Sequence, residues 1–486
     1  MAIKLYNTAV RRKETFKPLR EGRVGMYVCG VTVYDLCHIG HARSALVFDV
    51  LVRYFRARGF DVTYVRNFTD VDDKIIARAN QLGKDTTELA EEYITAFYED
   101  MGKLGVLNAD IEPRATEHIE GMIDMISTLI EKGFAYVVDE DVFYSVEKYQ
   151  HYGRLSGRRL EDMKAGSRIA VDEKKKHPMD FVLWKGAKPG EPQWPSPWGP
   201  GRPGWHMECS VMSNHFLGPT FDIHGGGEDL LFPHHENERA QSIAANEGKF
   251  ARFWIHNGFV TLESEKMSKS LGNFLTIRDA LETYHAEVLR FFLLSKHYRS
   301  PLDFSKSGVL DIQSGLVRIY RTLQRAGDLL GESHNGGDSA GVGTLTDPKG
   351  DPFLEQFIRH MDDDLNTAGA IGLVFDKVRE MNRLMDGLGP EPNRKDLDLL
   401  KSDLQSLFKA AHVLGILNEV PEAFFKALSR PVETLDVEGI EKMIEERSRA
   451  RAEKRWKEAD NIRDHLKGMG VILEDGPEGT SWRLDV

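Results

Sequence analysis

The strongest constraint on the fold is a strand-helix-strand unit near the N-terminus. Val24 to Cys29 predicts a short strand, and from His41 apolar residues recur on one face of a helix that Gly59 would end. Val62 to Val65 predicts a second strand, and a connection of this length suits a parallel crossover. An open α/β sheet follows, and Cys29 to His41 falls at the carboxyl edge, where such sheets bind ligands.

The predicted sheet is interrupted and then resumes. From about Glu131 to Gly204 the chain is first basic and then rich in proline, glycine and tryptophan, which is typical of an inserted lobe with loops. The run Phe221 to His224, followed by a helix-forming stretch from about Pro233, indicates a second part of the same sheet. After about Ser305 the pattern is mostly helical, and the polar stretch Glu332 to Asp351 predicts a long loop between helices. The sequence therefore predicts an α/β fold, split by an insertion and followed by a mostly α-helical C-terminal region.

Bulk composition limits the possible functions. A chain of 486 residues predicts two to four domains. Its three cysteines, Cys29, Cys37 and Cys209, are too few for a disulfide framework and favour reduced thiols or metal ligands. The net charge of −12 excludes a protein that coats nucleic acid indiscriminately, so an RNA partner must meet local basic patches. Because no stretch predicts a signal peptide or a membrane span, we expect a soluble cytoplasmic protein with no membrane partner.

The segment His38-Ile39-Gly40-His41 follows the first strand and begins the amphipathic helix. Free backbone N–H groups and the helix dipole favour phosphate at such a position, and two imidazoles can donate to phosphate oxygens. Gly40 would let an adenine ring lie against the backbone. The alternative is a plain helix start with two exposed histidines, and this tetrapeptide alone does not decide between the two.

A second motif, Lys266-Met267-Ser268-Lys269-Ser270, is small and polar and predicts a loop. Two lysines on a loop can close over a triphosphate and stabilise the charge that develops on pyrophosphate. A single pair of lysines would more simply be a solvated basic loop. The occurrence of this pentapeptide downstream of the histidine motif, in one chain with a split α/β domain, makes the two motifs together far more specific evidence for ATP chemistry than either motif alone.

Cys29, Cys209, His234 and Glu238 form a candidate metal site. His234 and Glu238 are four residues apart and would project from the same face of a helix. Two thiolates, an imidazole and a carboxylate would suit zinc. The cysteines could instead be small apolar core residues, and His235 or Glu236 could replace one of the ligands.

Together these elements resemble the cysteinyl-tRNA synthetase family, over nearly the whole chain. Further matching stretches are Tyr27 to Asp35, Ser196 to His206, Phe221 to Asp229 and Leu473 to Pro477. The resemblance implies a class I synthetase with a Rossmann-type catalytic domain. It also implies that the zinc ligands are Cys29, Cys209, His234 and Glu238, with one zinc ion per chain. Cys37 lies outside that pattern and receives no role.

The resemblance also implies a domain order and a set of partners. The catalytic domain would comprise residues 1–130 and 205–250, with the inserted lobe at 131–204 and a stem-contact region containing the lysine loop at 251–305. A helical bundle at 306–425 and a small domain at 426–486 would bind tRNA and its anticodon. The implied substrates are L-cysteine, ATP with Mg²⁺, and tRNA(Cys), and a monomer is expected.

Individual roles follow from the same resemblance. His38, His41, Lys266 and Lys269 would act on the phosphates of ATP, with Gly40 and His224 also contacting the nucleotide. Thr69, Trp205 and Asp229 would border the amino-acid pocket, and Arg451, Trp456 and Asp475 would contact tRNA. Thr69, His224 and Asp229 could equally be ordinary turn or capping residues, Trp205 a packing anchor, and the basic stretch around Arg451 a solvated helix face.

The implied reaction solves a selectivity problem. Serine differs from cysteine by one atom, which a pocket of fixed shape rejects poorly, whereas zinc favours a thiolate over a hydroxyl. One rival is the related ligase that joins activated cysteine to an amino sugar in mycothiol synthesis, although it needs no anticodon reader. Another is a zinc hydrolase using His234, His235 and Glu236, which leaves the lysine loop unexplained.

Overall fold

A computed structural model describes most of the chain. The described residues are 2–160, 174–262, 265–266, 274–331, 345–346, 348, 350–428, 437–453, 455–468, 471–476 and 479–484. Among them, no helix combines the length and the hydropathy needed to span a membrane.

A parallel sheet of four strands forms the centre of the catalytic half. An antiparallel hairpin of β1 (Lys4–Asn7) and β2 (Arg12–Thr15) precedes it. The sheet has the spatial order β10-β9-β3-β4, and every neighbouring pair is parallel. Its strands are β3 (Arg23–Val28), β4 (Asp61–Arg66), β9 (Thr220–Gly227) and β10 (Phe250–Asn257). The Rossmann-type α/β fold class predicted from the sequence is confirmed.

The first crossover helix, α1 (Ile39–Ala57), buries the apolar face that the sequence predicted, including Leu46, Val50 and Tyr54. It begins two residues before the predicted start because the side chain of His38 caps it, accepting the backbone N–H of Gly40. The chain leaves the helix through Gly59, whose φ of +85° is a left-handed conformation that glycine adopts without strain.

The insertion between β4 and β9 contains several helices and a second sheet. Its helices before the sheet are α2 (Asp73–Leu82), α3 (Thr86–Lys103) and α4 (Ile119–Glu131). The antiparallel sheet has the order β5-β6-β7-β8, with β5 (Ala135–Val138), β6 (Asp141–Tyr144), β7 (Phe181–Gly186) and β8 (Gly201–Pro203). The chain then returns to the central sheet through α5 (Trp205–Leu217).

Between β9 and β10 lies a turn followed by α6 (Glu236–Asn246). The sequence predicted a helix from about Pro233, but Phe232 is extended, with φ −142° and ψ 128°, and Leu231–His235 forms a wider π-type turn. The regular helix therefore begins at Glu236, and His234 lies in the turn that leads into it.

A small three-stranded sheet connects the catalytic half to the helical region. It has the order β12-β11-β13. Its elements and adjoining helices are β11 (Val260–Leu262), β12 (Glu265–Lys266), α7 (Ile277–Thr283), α8 (Ala286–Leu294) and β13 (Leu302–Phe304). Since β11 follows β10 directly, this sheet continues from the carboxyl edge of the central sheet.

The remainder is mostly helical, as predicted. The larger group of helices is α9 (Lys306–Leu330), α10 (Pro352–Asp362), α11 (Thr367–Asp386), α12 (Arg394–Leu414) and α13 (Pro421–Leu428). Most of the loop predicted for Glu332 to Asp351 lies outside the described residues. The last module comprises α14 (Val437–Ala452), α15 (Trp456–Gly468) and a hairpin of β14 (Val471–Gly476) and β15 (Gly479–Leu484).

Candidate active site

A cavity of about 420 Å³ opens at the carboxyl edge of the central sheet. Its lining includes residues that directly follow or end the strands: Cys29 after β3, Gly227 at the end of β9, and Asn257 at the end of β10. His38 and His41 line the same cavity. The histidine motif and one candidate metal ligand therefore share one cavity at the edge where parallel sheets bind ligands.

The four predicted metal ligands converge. One ligand atom from each of Cys29, Cys209, His234 and Glu238 lies within 4.8 Å of the other three. The Sγ atoms of the two cysteines are 3.6 Å apart, and His234 Nε2 lies 3.6 Å from Cys209 Sγ. Glu238 Oε1 is 3.4 Å from Cys29 Sγ and 2.9 Å from His234 Nε2. Two sulfurs, one nitrogen and one oxygen thus surround a single point, which is a donor set suited to zinc.

A second group, Cys29, His224, His235 and Glu238, also places its donor atoms within 4.8 Å. Its His224 is the less suitable ligand. The ring nitrogens of His224 lie 3.2 Å from the carbonyl oxygen of Tyr27 and 2.7 Å from Glu238 Oε2, so both already face acceptors. His224 therefore holds the Glu238 carboxylate, and the group containing both cysteines is the better metal site.

The cluster carries opposite charges at close range. Burial raises the pKa of Cys209, but hydrogen bonds from Cys29 and His234 outweigh it and bring that pKa to about 6. Burial lowers the pKa of His234, but the Glu238 carboxylate and Cys209 raise it to about 10. Burial raises the pKa of Cys29 well above that of an ordinary thiol. Burial also raises the pKa of Glu238, but His224 and His234 outweigh it and hold that pKa well below that of an ordinary carboxyl. A divalent cation can replace the protons of Cys29 and His234 while leaving two anionic partners in place.

Further side chains fix the orientation of His234. Its Nδ1 lies 2.8 Å from Nδ1 of His206, and the ring of Trp205 stacks on it with centroids 4.0 Å apart. Beneath this layer, His235 Nδ1 contacts His256 Nε2 at 2.8 Å. Sequence reasoning assigned no role to His206 or His256. The only signal was that residues 205–257 hold six of the 17 histidines in the chain.

His38 and His41 are held with one ring nitrogen toward the backbone. Nδ1 of His38 accepts the N–H of Gly40 at 3.0 Å, and Nδ1 of His41 accepts the N–H of His38 at 3.2 Å. The two rings stack with centroids 3.8 Å apart. An accepting Nδ1 places the proton of a neutral imidazole on Nε2, which gives both rings a donor for phosphate oxygens.

Most of the lysine loop, including Lys269, lies outside the described residues, but the segments on either side of it are described. Before it, β12 pairs with β11 so that Lys266 lies opposite Thr261. After it, Phe274 packs edge-on against the ring of His38, and the N–H of Ile39 donates to the carbonyl of Leu275 at 3.2 Å. The C-terminal end of the loop therefore lies beside the histidine motif, and its N-terminal end pairs with the strand that begins at the cavity-lining Val260.

The other predicted pocket residues fall in different places. Trp205 and Asp229 line the cavity, and Asp229 is exposed. Thr69 is buried, and its hydroxyl donates to Glu208 Oε2 at 2.6 Å. His224 is fully buried behind the candidate metal site, and among the described residues it is absent from the cavity lining.

The three predicted tRNA contacts all belong to the last module. Arg451 is exposed on α14, and Trp456, 58% exposed, begins α15. Asp475 lies on β14 opposite Thr480. An aromatic side chain this exposed at a helix start contributes little to the module's own core.

Comparison with known families accounts for most of the chain. The family described as tRNA synthetases class I (C) catalytic domain matches residues 15–314, and the DALR domain matches residues 356–418. The cysteinyl-tRNA ligase anticodon binding domain matches residues 437–483. Fold and site together define a class I aminoacyl-tRNA synthetase.

Related sequences narrow the class. Cysteine–tRNA ligase from Geobacter metallireducens is 55% identical over 100% of both chains, and the one from Thioalkalivibrio sulfidiphilus is 53% identical over 99% of both. The chain belongs to the cysteinyl-tRNA synthetase family. Among solved structures, Mycobacterium tuberculosis methionyl-tRNA synthetase with methionyl-adenylate shares the fold, with a TM-score of 0.63 at 17% identity over 84% of this chain and 93% of that one.

Proposed function

We propose that the chain activates L-cysteine with ATP, transfers it to the 3′-terminal adenosine of tRNA(Cys), and selects cysteine through a zinc-held thiolate. The observation that carries this proposal is the convergence of Cys29, Cys209, His234 and Glu238 beside the cavity that contains the histidine motif. A metal site that adjoins a nucleotide site can bind the cysteine side chain while ATP occupies the neighbouring site.

Selection of cysteine over serine is the task assigned to the metal. Zinc bound by these residues would supply a Lewis acid that keeps a thiol deprotonated, and a hydroxyl is a much poorer ligand. The protein contributes the fixed positions of the ligands: Glu238 is held by His224, and His234 by His206 and Trp205. Trp205 also lines the cavity, so it can close the amino-acid pocket over the side chain.

Activation requires no protein nucleophile. A carboxylate oxygen of cysteine attacks the α-phosphorus of ATP, a P–O bond forms, and pyrophosphate leaves with the electrons of the broken bond. His38 and His41 donate from Nε2 to phosphate oxygens, and Lys266 and Lys269 stabilise the charge on pyrophosphate, with Mg²⁺ as the counter-ion of ATP. A ribose hydroxyl of the terminal adenosine then attacks the activated carbonyl, and AMP leaves.

The C-terminal modules support tRNA as the acceptor. Arg451 and the exposed Trp456 combine phosphate attraction with a surface on which an unpaired base can stack, and Asp475 lies on the adjacent hairpin. The amino-sugar ligase would leave both modules without a task, and the hydrolase would leave the lysine loop without one. Because its three cysteines are reduced, the enzyme is proposed to act in the cytoplasm. It is also proposed to act as a monomer.

The experiment measures metal content and amino-acid activation on the same samples. Cys209→Ala and His234→Ala should each lower bound zinc at least about tenfold, since each removes a ligand. Cysteine-dependent ATP–pyrophosphate exchange should fall with the zinc, and the preference for cysteine over serine should narrow. Cys37→Ala is the matched control for zinc content, because Cys37 is a buried cysteine outside the cluster. Since Cys37 borders the cavity, the control applies to bound zinc and not to the exchange rate.

An undiminished zinc content in both ligand variants would refute the proposed metal site. Exchange that runs equally well without cysteine would contradict both ligase hypotheses. Failure to charge tRNA(Cys) together with amide formation on the amino sugar would identify the rival ligase.

A further inference from the structure

Four exposed arginines form a strip on the catalytic half. These residues, hereafter the arginine strip, are Arg11, Arg154, Arg158 and Arg159. Among the described residues, none of the four has a carboxylate within ion-pair distance. In a chain with a net charge of −12, these four side chains form a local concentration of positive charge.

Two of these arginines are held in place. The Arg11 guanidinium donates from Nη2 to the carbonyl of Ser156 at 3.1 Å and lies directly over Gly157. Gly157 has φ +73°, and a Cβ at this position would lie 1.2 Å from Arg11 Nη2. The Arg158 guanidinium lies 4.4 Å from the ring centroid of Phe232. Stacking and close packing reduce the entropy that these long side chains lose when they bind a ligand.

The strip is attached to the chain segment between the two candidate metal ligands His234 and Glu238. The N–H of Ser156 donates to Glu236 Oε2 at 2.7 Å, and the hydroxyl of Tyr152 donates to Asn237 Oδ1 at 2.5 Å. Phe232, which supports Arg158, lies two residues before His234. It also lies two residues after Leu230 and three after Asp229, both of which line the cavity. The strip thus lies next to the wall of the active-site cavity.

From this placement we infer that the arginine strip binds phosphates of the single-stranded 3′ end of tRNA as that end enters the cavity. The inference rests on the proposed function, since it takes tRNA as the acceptor. The terminal adenosine must reach the activated cysteine inside the cavity, so the preceding phosphates must cross its edge. Guanidinium groups are the side chains best suited to phosphate oxygens, and an acidic protein needs a local cationic surface there.

Substitution of Arg158 and Arg159 tests the inference. The double variant Arg158→Gln/Arg159→Gln should raise the KM for tRNA in aminoacylation about tenfold, while the KM values for cysteine and ATP in pyrophosphate exchange keep their wild-type values. The slope of log(kcat/KM) for tRNA against log[salt] should become shallower by about 0.7 for each phosphate that the variant no longer binds. The pair Arg158→Lys/Arg159→Lys, which keeps the charge, should recover most of the tRNA affinity.

Arg20→Gln is the control. Arg20 is exposed, its substitution removes one of the two charges that the double variant loses, and it lies just before the amino end of β3, at the edge of the sheet opposite the cavity. An unchanged tRNA KM and salt slope in the double variant, or an equal change in Arg20→Gln, would overturn the inference. A wild-type enzyme that fails to show cysteine-dependent exchange would instead refute the proposed function.

Discussion

At the scale of single residues, Arg290 shows how the catalytic and helical regions are joined by a buried charge. Its side chain is 2% exposed and donates to Asp49 Oδ2 at 2.5 Å. It also donates to the backbone carbonyls of Leu414, Leu104 and Gly105 at 2.9 to 3.0 Å. Burial raises the pKa of Asp49, but Arg290 and Arg53 outweigh it and hold that pKa below its ordinary value.

Arg290→Met should therefore destabilise the protein by about 3 kcal/mol at pH 7.5, because it removes a buried donor from three carbonyls and leaves Asp49 with one cation, Arg53, instead of two. A lowered carboxyl pKa stabilises the folded state above the unfolded pKa of about 4 and loses that contribution as pH falls through the folded pKa. Without Arg290, Asp49 can take up a proton at higher pH, so the difference from wild type should shrink as pH falls from 7.5 to 5.

The measurement is the urea unfolding midpoint at both pH values. Arg394→Met provides the comparison, because Arg394 is 93% exposed and its ion pair with Asp398 is long at 3.9 Å. This substitution should change the free energy of unfolding by less than about 0.5 kcal/mol. An equal loss at pH 5 and pH 7.5 in Arg290→Met would contradict the assignment of the charge to this pair.

Residue types and their resemblance to a family predicted which four side chains meet at the candidate metal site. They could not predict what holds those side chains. The contacts of His206 with His234 and of His235 with His256 join residues 28 and 21 positions apart. Such pairs leave no local pattern, because tertiary packing alone brings them together.

At the scale of elements, α1 ties the histidine motif to the segments that lead to and from the lysine loop. Arg43, on this helix, is fully buried, and its guanidinium donates only to backbone carbonyls. Those are the carbonyls of Phe259, His297, Tyr298 and Ser300, at 2.8, 3.3, 3.4 and 2.5 Å. Phe259 also lines the cavity, so Arg43 is a positioning residue for the side of the cavity proposed to bind the nucleotide.

Arg43→Met should raise the KM for ATP in pyrophosphate exchange about tenfold, which corresponds to about 1.4 kcal/mol. The reason is that the guanidinium no longer links these four carbonyls, and the segment carrying Phe259 is released from α1. Zinc content and the KM for cysteine should stay near wild type. A parallel loss of zinc, or equal changes in both KM values, would show a general structural role instead.

The sequence predicted the type and order of the sheet elements better than their ends. The start of α1 shifts to Ile39 because the side chain of His38 caps the helix. The start of α6 shifts to Glu236 because Phe232 is extended and a wider turn precedes the helix. His234 and Glu238 were predicted to share one helical face, and they are close although only Glu238 lies in the regular helix. Capping and irregular turns depend on atomic contacts that periodicity does not record.

At the scale of the whole molecule, the last module has a core of its own. Ile444 of α14 and Leu466 of α15 are buried together, with Ile462 and Leu473 packed against them. The fold class could be predicted from the strand-helix-strand unit near the N-terminus and the helical pattern after Ser305, whereas the domain boundaries remain predictions. A module with a separate core can be removed without exposing the core of the catalytic half.

A chain that ends at residue 428 should therefore keep zinc and cysteine-dependent pyrophosphate exchange. Its KM for tRNA(Cys) should rise at least about tenfold, because the surface carrying Arg451 and Trp456 is removed. The full-length Trp456→Ala variant should show part of the same increase. Loss of exchange together with loss of aminoacylation in the shortened chain would contradict an independent module.

The central claim, that a metal-held thiolate identifies the substrate, is tested most directly by X-ray absorption at the zinc edge. In the zinc-loaded enzyme, Cys29 and Cys209 should supply two sulfur neighbours at about 2.3 Å. Addition of L-cysteine should raise the number to three, and addition of L-serine should leave it at two. A sulfur number that does not change with cysteine would contradict the account.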